Sequence, residues 1–542
     1  MKCDETIARK IPVLIVGGGP VGLALAADLG WRGIGCELVE QTDGSIATPK
    51  MNEVNIRTME FCRRWGLADA VQNCPFPADH SLDIVFVTSM SGYELARMRR
   101  PRLSQSTAEG FSPTRLQICS QLWFDPILRS FAQSQPGVTM HHRTRLERFE
   151  ETSDGIVAQL NDLEHGGCET IHAQYLVGCD GATSAVREAL GIGLEGEGIL
   201  GHPVHLFFTA PDLFERCGRE PGAFFLAVDR HGLWANIRII DPVNGLWRLM
   251  LLDSGGQQTP DSVDRAALLR RAIGRPIEVE WKGMSIWTRR SVVAKRYSKG
   301  RVFLAGDAVH QLSPTGALGM NTGIGDAVDL GWKLAAVLEG WGGDGLLDSY
   351  DAERRPIGIR NVRMATEFHL AHGEFANDLA AIEDDTEDGR LLRTRIGKDL
   401  ATNVGRMFRT AGLQLGYRYE SSPICVADGS PARPDDPAEF IASARPGSRA
   451  PHAYRRDGRS TLDLFGRGFV LLRFGEIETS DLEHAATAHR IPLQVIDVAE
   501  PEIATLYERR LVLVRPDGHV CWRGDTLPGD VTELIDRVRG AA

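Results

Sequence analysis

Three glycines near the start of the chain have the spacing GxGxxG: Gly17, Gly19 and Gly22. They follow an uninterrupted apolar run over residues 11–16, which predicts a buried strand, and they precede a stretch with helical apolar spacing. In that setting the glycines make a tight turn, admit a pyrophosphate close to the backbone and let the helix pack on the strand. The helix N-terminus would direct N–H groups at the phosphates. The predicted chemistry is the binding of a dinucleotide.

A second predicted strand covers residues 35–40 and ends at Glu40, 18 residues beyond Gly22. An acidic side chain at this point can accept hydrogen bonds from both hydroxyl groups of an adenosine ribose. Glu40 and the adjacent Gln41 are therefore candidates for the ribose contact. These features do not distinguish NAD from FAD.

Two later segments favour FAD. Residues 175–187 read YLVGCDGATSAVR and include Asp180, and residues 301–321 read RVFLAGDAVHQLSPTGALGMN. In the second segment an apolar strand ends at Gly306 and Asp307, and a glycine-rich loop leads into a predicted helix from about Asn321. An aspartate at a strand end can accept a ribityl hydroxyl, and the helix N-terminus can face a flavin ring where negative charge develops on reduction. A flavin dinucleotide needs this second polar anchor, whereas NAD does not.

Together these segments resemble the GxGxxG, DG and GD motifs of the single-component (group A) flavin-dependent aromatic hydroxylases. The similarity is greatest to the branch of the phenol, 2,4-dichlorophenol and 3-(3-hydroxyphenyl)propionate hydroxylases. Three further stretches agree, namely residues 50–60 (KMNEVNIRTME), 121–128 (QLWFDPIL) and 346–356 (LLDSYDAERRP). The resemblance covers most of residues 10–370.

The resemblance implies a set of residues that hold FAD. They are Gly17, Gly19, Gly22, Glu40, Gln41, Lys50, Gln121, Asp180, Gly306, Asp307, Pro314, Gly319, Met320 and Asn321. Lys50 stands where the family usually has arginine, which replaces a bidentate phosphate contact with a point charge. Ala317 replaces the second glycine of the usual loop and restricts the backbone there.

The resemblance also implies a catalytic region at the flavin edge, lined by Pro314 and its loop. Asn52 occupies a position where a relative has an acid that contacts the phenol. An amide cannot act as a base, so another group must do so, or the substrate binds already ionised. His205 and Tyr297 are the candidates for a base or donor toward the phenol.

These residues require an α/β framework to position them. The resemblance implies a Rossmann-like FAD-binding domain of the glutathione-reductase type in residues 1–189 and 286–365. Residues 190–285, with part of 75–112, form the inserted β-sheet substrate domain. Alternating apolar patterns separated by turn residues there predict a mostly antiparallel sheet. In the family such a sheet covers the flavin and forms the substrate pocket.

The C-terminal part is expected to be structural. Residues 366–440 predict a helical segment and a proline-rich linker, and residues 441–542 have the β–α–β–hairpin–α order of a thioredoxin-like domain. Cys521 is alone on a predicted strand, and none of the ten cysteines forms a CxxC pair. The domain is therefore predicted to have no thiol–disulfide chemistry, and no metal site is expected in the chain.

The composition narrows the class of protein further. The 542 residues carry a net charge of −11 and are 43% hydrophobic, which predicts several globular domains and no nucleic-acid partner. No signal-peptide core and no apolar run of roughly 18 residues is present, so a cytoplasmic protein without a membrane partner is expected.

The resemblance implies an enzyme that uses FAD, O2 and either NADH or NADPH to hydroxylate a small phenolic compound through a C4a-hydroperoxyflavin. Two alternatives stay open. One is a flavoprotein of the same fold that halogenates or dehydrogenates, and the other is a non-catalytic flavin-fold scaffold. The sequence also leaves open the ring substituents, the site of hydroxylation, the choice of nicotinamide donor and a homodimeric state.

Overall fold

The structure is a computed structural model that describes residues 9–108, 110–252, 256, 258–371 and 379–542. The predicted lack of a signal segment falls partly on residues 1–8, which lie outside the described residues. The strands are Arg9–Val16 (β1), Cys36–Glu40 (β2), Glu53–Val54 (β3), Ile84–Val87 (β4), Glu94–Met98 (β5), Gln117–Ile118 (β6), Val138–His142 (β7), Thr144–Thr152 (β8), Gly155–Asp162 (β9), Gly167–Gly178 (β10), Leu194–Gly201 (β11), Val204–Thr209 (β12), Phe224–Asp229 (β13), Gly232–Asp241 (β14), Leu246–Leu251 (β15), Glu280–Ile286 (β16), Arg289–Ala294 (β17), Ser298–Lys299 (β18), Val302–Leu304 (β19), His310–Gln311 (β20), Phe469–Arg473 (β21), Leu493–Asp497 (β22), Leu511–Val514 (β23) and Val520–Gly524 (β24).

The α-helices connect these strands and cover their faces. They are Pro20–Arg32 (α1), Ile56–Arg64 (α2), Ala68–Gln72 (α3), Gln121–Gln133 (α4), Ala185–Ala189 (α5), Leu213–Cys217 (α6), Arg265–Ile273 (α7), Gly319–Leu338 (α8), Asp348–Leu370 (α9), Glu387–Asn403 (α10), Ala411–Leu415 (α11), Ser480–Ala488 (α12), Pro501–Tyr507 (α13) and Val531–Val538 (α14). Among the residues that the structure describes, every helix is too short or too polar to span a bilayer.

The N-terminal sheet has the strand order β18–β19–β10–β1–β2–β7, with β8 and β9 attached to β10. Strands β7, β2, β1, β10 and β19 are parallel. Val16 is level with Val39 on one side and Gly178 on the other, and Gly178 is level with Leu304. The segments that follow these strands therefore meet at one edge of the sheet. These segments carry Gly17, Glu40, Asp180 and Gly306. This is the Rossmann-like arrangement predicted from the sequence.

The second sheet has the order β16–β12–β15–β14–β13–β4–β5 and is antiparallel except where β13 pairs with β4. Strands β12 to β15 lie within residues 190–285, where the alternating apolar patterns predict a mostly antiparallel sheet. One face packs on α7 through an apolar cluster that includes Leu206, Leu249 and Leu269. The alternate residues of the same strands, among them His205 and Arg248, lie on the opposite face.

The C-terminal sheet has the order β22–β21–β23–β24, in which only β21 and β22 are parallel, joined through α12. This is a thioredoxin-like arrangement. The sequence analysis missed α13, although Pro501 at its first position is a common start signal and Ile503 and Tyr507 are buried one turn apart. The Cys521 thiol is fully buried and donates to the Leu513 carbonyl at 3.4 Å. Burial raises the pKa of this thiol well above its usual range, so it stays protonated.

A buried ion cluster joins the C-terminal domain to α8 and α9. Arg515, in the turn between β23 and β24, donates to both carboxylate oxygens of Glu353 at 2.5 and 2.9 Å, to Asp329 at 3.1 Å and to Asp517 at 2.7 Å. Lys333 donates to Asp329 and Glu353, both at 2.7 Å. Burial alone would raise the pKa of the Glu353 carboxyl group. The positive charges of Arg515 and Lys333 outweigh this effect and hold the pKa at about 2. All these side chains are almost completely buried, so each charge depends on its partners.

Replacing Arg515 with Ala should lower the free energy of unfolding by about 3–5 kcal/mol, because Glu353 and Asp329 would keep buried charges without their main counterion. Chemical unfolding followed by circular dichroism measures this change. The matched control is Arg509→Ala, which removes an exposed arginine paired with Asp525 and should cost less than about 1 kcal/mol. Equal losses in the two variants would contradict the assignment of the cluster as the contact between domains.

Candidate functional site

The turn between β1 and α1 explains the three glycines of the first motif. Gly17 has φ +110°, and a Cβ atom there would lie 2.4 Å from the carbonyl oxygen of Cys179. A Cβ atom on Gly22 would lie 2.0 Å from the carbonyl oxygen of Gly17. Among the described residues, a Cβ atom on Gly19 would meet no atom within 4 Å, and no side chain caps the N-terminus of α1. Gly17 and Gly22 are thus needed for packing, whereas Gly19 borders open space in front of a helix N-terminus.

Glu40 organises the loop beside this turn. Its Oε2 accepts the backbone N–H of Gly18 at 2.7 Å, and its Oε1 accepts the backbone N–H and hydroxyl of Thr42 at 2.8 and 2.7 Å. The side chain is partly exposed and Gln41 next to it is exposed. Both residues lie where the sequence places a ribose contact.

Asp180 and Asp307 lie beyond the ends of β10 and β19. One oxygen of Asp180 accepts the backbone N–H of Val186 at 3.0 Å, and the other is buried without a hydrogen-bond partner among the described residues. Asp307 is exposed to solvent. Desolvation by the surrounding protein raises the pKa of Asp307, and His310 and Lys50 partly oppose the shift.

The loop between β20 and α8 is fixed by Asn321. Its Oδ1 accepts the backbone N–H of Asn55 at 3.0 Å and the hydroxyl of Thr58 at 2.7 Å, and its Nδ2 donates to the carbonyls of Glu53 and Ala317 at 3.2 and 2.8 Å. The amide is therefore occupied by protein groups, so only its backbone is left for a cofactor.

The rest of this loop is open to a ligand. Pro314 is exposed, and α8 begins at Gly319 and Met320 rather than at Asn321, again without a side-chain cap. Ala317 has φ +55°, so it takes the left-handed conformation that glycine adopts more easily. The sequence predicts that Ala317 restricts the backbone at this point, and the structure shows that the chain nevertheless adopts the left-handed conformation there.

Gln121 is clamped by two neighbours. Its Oε1 accepts the backbone N–H of Lys50 at 2.9 Å, and its Nε2 donates to Asp125 at 3.0 Å. Burial raises the pKa of Asp125 to about 7, since the Gln121 hydrogen bond and Arg129 only partly offset it. Asp125 thereby fixes the orientation of the amide at the start of α4.

The polar face of the second sheet carries His205. Its Nε2 accepts the indole N–H of Trp287 at 3.1 Å. Burial lowers the pKa of His205 well below its usual range, and Arg248, Arg289 and Lys50 lower it further. His205 is therefore neutral, with its proton on Nδ1.

Asn52 is buried at the start of the segment that crosses this region, and its Oδ1 has no hydrogen-bond partner among the described residues. Tyr297 lies elsewhere, in the apolar core with Phe303 and Tyr350. Its hydroxyl is fully buried, and burial raises its pKa well above the usual range. Asn52 thus lies beside the segment that Asn321 ties to the start of α8, and His205 lies on the polar face of the second sheet, whereas Tyr297 packs in a separate apolar core.

Sequence reasoning missed three residues of the polar sheet face: Arg238, Arg248 and Trp287. Arg248 interrupts the apolar strand LWRLML, and Arg238 has a similar position in the preceding strand. An arginine within an apolar strand is unusual enough to mark both positions from the sequence alone.

The two uncapped helix N-termini, the open space at Gly19 and the partnerless oxygen of Asp180 fit an FAD-binding protein. Comparison with known proteins identifies the family. The family described as "FAD binding domain" matches residues 10–365, and the one described as "Aromatic-ring hydroxylase, C-terminal" matches residues 443–542.

Two curated relatives align over nearly the whole chain. A protein named as a putative polyketide hydroxylase of Streptomyces halstedii is 34% identical and covers 98% of this chain and 96% of its own. A 4-methyl-5-nitrocatechol 5-monooxygenase of Burkholderia sp is 33% identical and covers 98% of each chain. The solved structure of RebC with bound 7-carboxy-K252c has a TM-score of 0.92 and 40% identity over 99% of this chain and 100% of RebC.

The chain belongs to the FAD-dependent aromatic-ring hydroxylases and is a flavin-dependent monooxygenase. The prediction of fold and enzyme class is confirmed. The phenol hydroxylase branch is not singled out, because polyketide hydroxylases are equally similar.

Gly19 and Gly22 give a matched pair of tests. In Gly19→Ala the new Cβ enters open space, so the stability should fall by less than about 1 kcal/mol, while FAD affinity should fall at least about tenfold because the pyrophosphate loses its close approach. In Gly22→Ala the Cβ collides with a backbone oxygen, so stability itself should fall by about 1–3 kcal/mol. FAD titration of the apoprotein and thermal unfolding measure the two effects. Normal FAD binding by Gly19→Ala would contradict the placement of the cofactor.

Ala317→Gly should stabilise the protein by about 0.5–1 kcal/mol, because relief of the left-handed strain exceeds the added flexibility of the unfolded chain. Thermal unfolding measures the gain. Gly316→Ala is the converse control, since φ +86° at Gly316 makes alanine unfavourable there. A loss of stability in Ala317→Gly would show that the alanine methyl group makes a contact worth more than the strain.

Proposed function

We propose that the enzyme hydroxylates a phenolic aromatic compound, with NADH or NADPH as the electron donor and O2 as the oxygen source. The balanced reaction converts the phenol, O2, NAD(P)H and a proton into the dihydroxy product, water and NAD(P)+. The observation that carries the proposal is the unpaired, buried Oδ1 of Asn52. Asn52 directly precedes Glu53, whose carbonyl accepts a hydrogen bond from Asn321 at the start of α8.

The cofactor would be held by the uncapped N-termini of α1 and α8, by Gly19 and by Asp180 and Asp307. When bound, FAD would supply the redox chemistry, because it can accept electrons from the nicotinamide donor and pass them to O2. Asp125 and Asn321 are positioning residues in this proposal, because they fix Gln121 and the loop that contains Pro314 and Ala317.

His205 and Asn52 are proposed to act on the phenol. The neutral imidazole accepts from Trp287 at Nε2, so its Nδ1–H is the group that can donate to a phenol oxygen and stabilise the phenolate. The unpaired Oδ1 of Asn52 can accept the phenol proton in a hydrogen bond before ionisation. Both side chains are buried, which strengthens these hydrogen bonds because water competes less for them.

The relatives support a phenolic substrate without fixing the number of rings. The Burkholderia protein is named for a nitrocatechol, which is a single phenolic ring, and this agrees with the phenol hydroxylase branch. The Streptomyces protein is named for polyketides. The phenolic hydroxyl group is the feature that the proposed chemistry requires.

Turnover with phenols should consume NAD(P)H and add one oxygen atom, seen as a mass increase of 16 in the product. If a phenolate is the reacting form, oxygen transfer should become faster as pH rises through a single ionisation, starting from a phenol pKa near 10. Nitro or halogen substituents should move that ionisation to lower pH. Rapid-mixing experiments with a series of phenols measure it. A halogenated or dehydrogenated product, or efficient turnover of the O-methyl ethers, would contradict the proposal.

His205→Ala should slow oxygen transfer by about 10- to 100-fold, the expected effect of losing a hydrogen bond to a charged oxygen. His205→Asn should recover part of the rate, since an amide N–H can replace the Nδ1–H. The control is His231→Gln, which changes an exposed histidine in the turn between β13 and β14. Unchanged oxygen transfer in His205→Ala would remove this residue from the mechanism.

A further inference from the structure

Two arginines lie directly opposite each other on the polar face of the second sheet. Arg238 on β14 is level with Arg248 on β15. They share this face with His205, whose pKa Arg248 lowers. Like charges in this arrangement repel each other, so something must compensate for the pair.

The Glu53 carboxylate favours the charged form of Arg238 from beyond salt-bridge distance, and the described residues provide little other compensation. Arg248 is buried and donates from Nη2 to the Asn236 Oδ1 at 3.3 Å, and Arg238 stacks on the ring of Phe224 at 5.3 Å. The Nε atoms of both arginines are buried without a hydrogen-bond partner among the described residues. In that part of the chain, no carboxylate lies within salt-bridge distance of either guanidinium group.

Other buried arginines of this chain show what the fold normally supplies. Arg354 is paired with Asp326, Arg449 with Glu60, and Arg515 with Glu353. Each of these guanidinium groups meets a carboxylate in the protein interior. Among the described residues, Arg238 and Arg248 lack such a carboxylate. Burial and the neighbouring Arg238 lower the pKa of Arg248 only to about 9, so it stays charged at neutral pH.

The arginine pair lies beside the region already assigned to the reaction. Leu312 and Leu318, which flank Pro314, belong to the same apolar cluster as Phe224 and Leu226 on β13. Phe224 is the ring on which Arg238 stacks. A ligand that reaches the arginines can therefore contact the loop at the cofactor edge at the same time.

We propose that Arg238 and Arg248 form a carboxylate-binding subsite of the substrate cleft, so that the substrate is a phenolic carboxylic acid and not a neutral phenol. The inference rests on the proposed function for the role of the cleft. A carboxylate has two oxygens that match the N–H pairs of a guanidinium fork, and it neutralises the repulsion between the two arginines. A single phenolate oxygen could not occupy both forks in this way.

Calorimetric titration of the FAD-loaded enzyme, without NAD(P)H and in chloride-poor buffer at pH 7.5, tests the subsite. Two matched pairs of probes separate the effect of the carboxylate on affinity from the effect of ring size. The pairs are 3-hydroxybenzoate with phenol, and 6-hydroxy-2-naphthoate with 2-naphthol. In at least one pair, the acid should bind 30-fold or more tightly than the neutral compound. Equal affinities in both pairs, or no binding of either acid, would overturn the proposal.

Substitution of the arginines identifies the groups responsible. Arg248→Met and Arg238→Met should each weaken binding of the acid at least tenfold and leave the affinity for the neutral compound within a factor of three. Arg248→Lys should retain part of the preference, because it keeps the charge but not the fork. The control is Arg270→Met, an exposed arginine on α7, which should change neither affinity. Acid binding that is unchanged in both methionine variants would overturn the proposal.

Thermal stability gives a readout that does not depend on turnover. In the absence of a substrate, Arg248→Met should raise the melting temperature, because it removes an unpaired buried charge. If Arg248 had a purely structural role, the same substitution would lower the melting temperature. The acid should raise the melting temperature of the parent enzyme but not of the variant. A lower melting temperature together with unchanged acid binding would refute the subsite.

The outcomes also distinguish this proposal from the proposed function. If the acids bind in an arginine-dependent manner but no oxygen is transferred, the subsite stands and the hydroxylation fails. If neutral phenols are hydroxylated and the acids bind no better, hydroxylation stands and the subsite fails. Binding of phenols that strengthens with pH and depends on Arg248, with no preference for acids, would assign the arginines to the phenolate and overturn the carboxylate proposal.

Discussion

The parallel register of β1, β2, β10 and β19 is the constraint on which the cofactor site depends. Because neighbouring parallel strands end at the same level, the segments that follow them are brought together although they are far apart in the sequence. Gly17, Glu40, Asp180 and Gly306 reach one edge in this way. A shift of one residue in any of these strands would move its terminal group away from the others and reverse which side chains face the core.

Much of this arrangement could be predicted from the sequence, because each motif combines a local pattern with a position at a strand end. The first strands of the first sheet follow from apolar runs that end at motif residues, the second sheet follows from alternating apolar patterns, and Ala317 was recognised as a conformational exception. Long-range partners could not be predicted in the same way. The clamp around Asn321 joins residues that are more than 260 positions apart, and no local pattern encodes such a pair.

Tyr297 is a second case in which the local sequence did not reveal the side-chain contacts. Its type and its place near the motif made it a candidate donor, but side-chain direction depends on the packing of α9. Gly358 on α9 leaves room for the Tyr297 hydroxyl, because a Cβ atom there would lie 2.1 Å from that oxygen. Arg238 and Arg248 were missed for a related reason: a sheet pattern shows which residues alternate, but not which charges lack a partner.

Helix α9 contacts the first sheet, strand β17 and the C-terminal domain. The Tyr350 hydroxyl donates to the carbonyl of Leu304 in the first sheet, and the Thr366 hydroxyl donates to Ser291 in β17. The Glu353 carboxylate accepts hydrogen bonds from Arg515 of the C-terminal domain. A chain that ended before residue 441 would leave Glu353 and Asp329 without that arginine and would expose apolar residues such as Trp332 that pack against the domain. The C-terminal domain is therefore not a detachable module, and an exchange of this domain between relatives would succeed only if the counterions on α8 and α9 were exchanged with it.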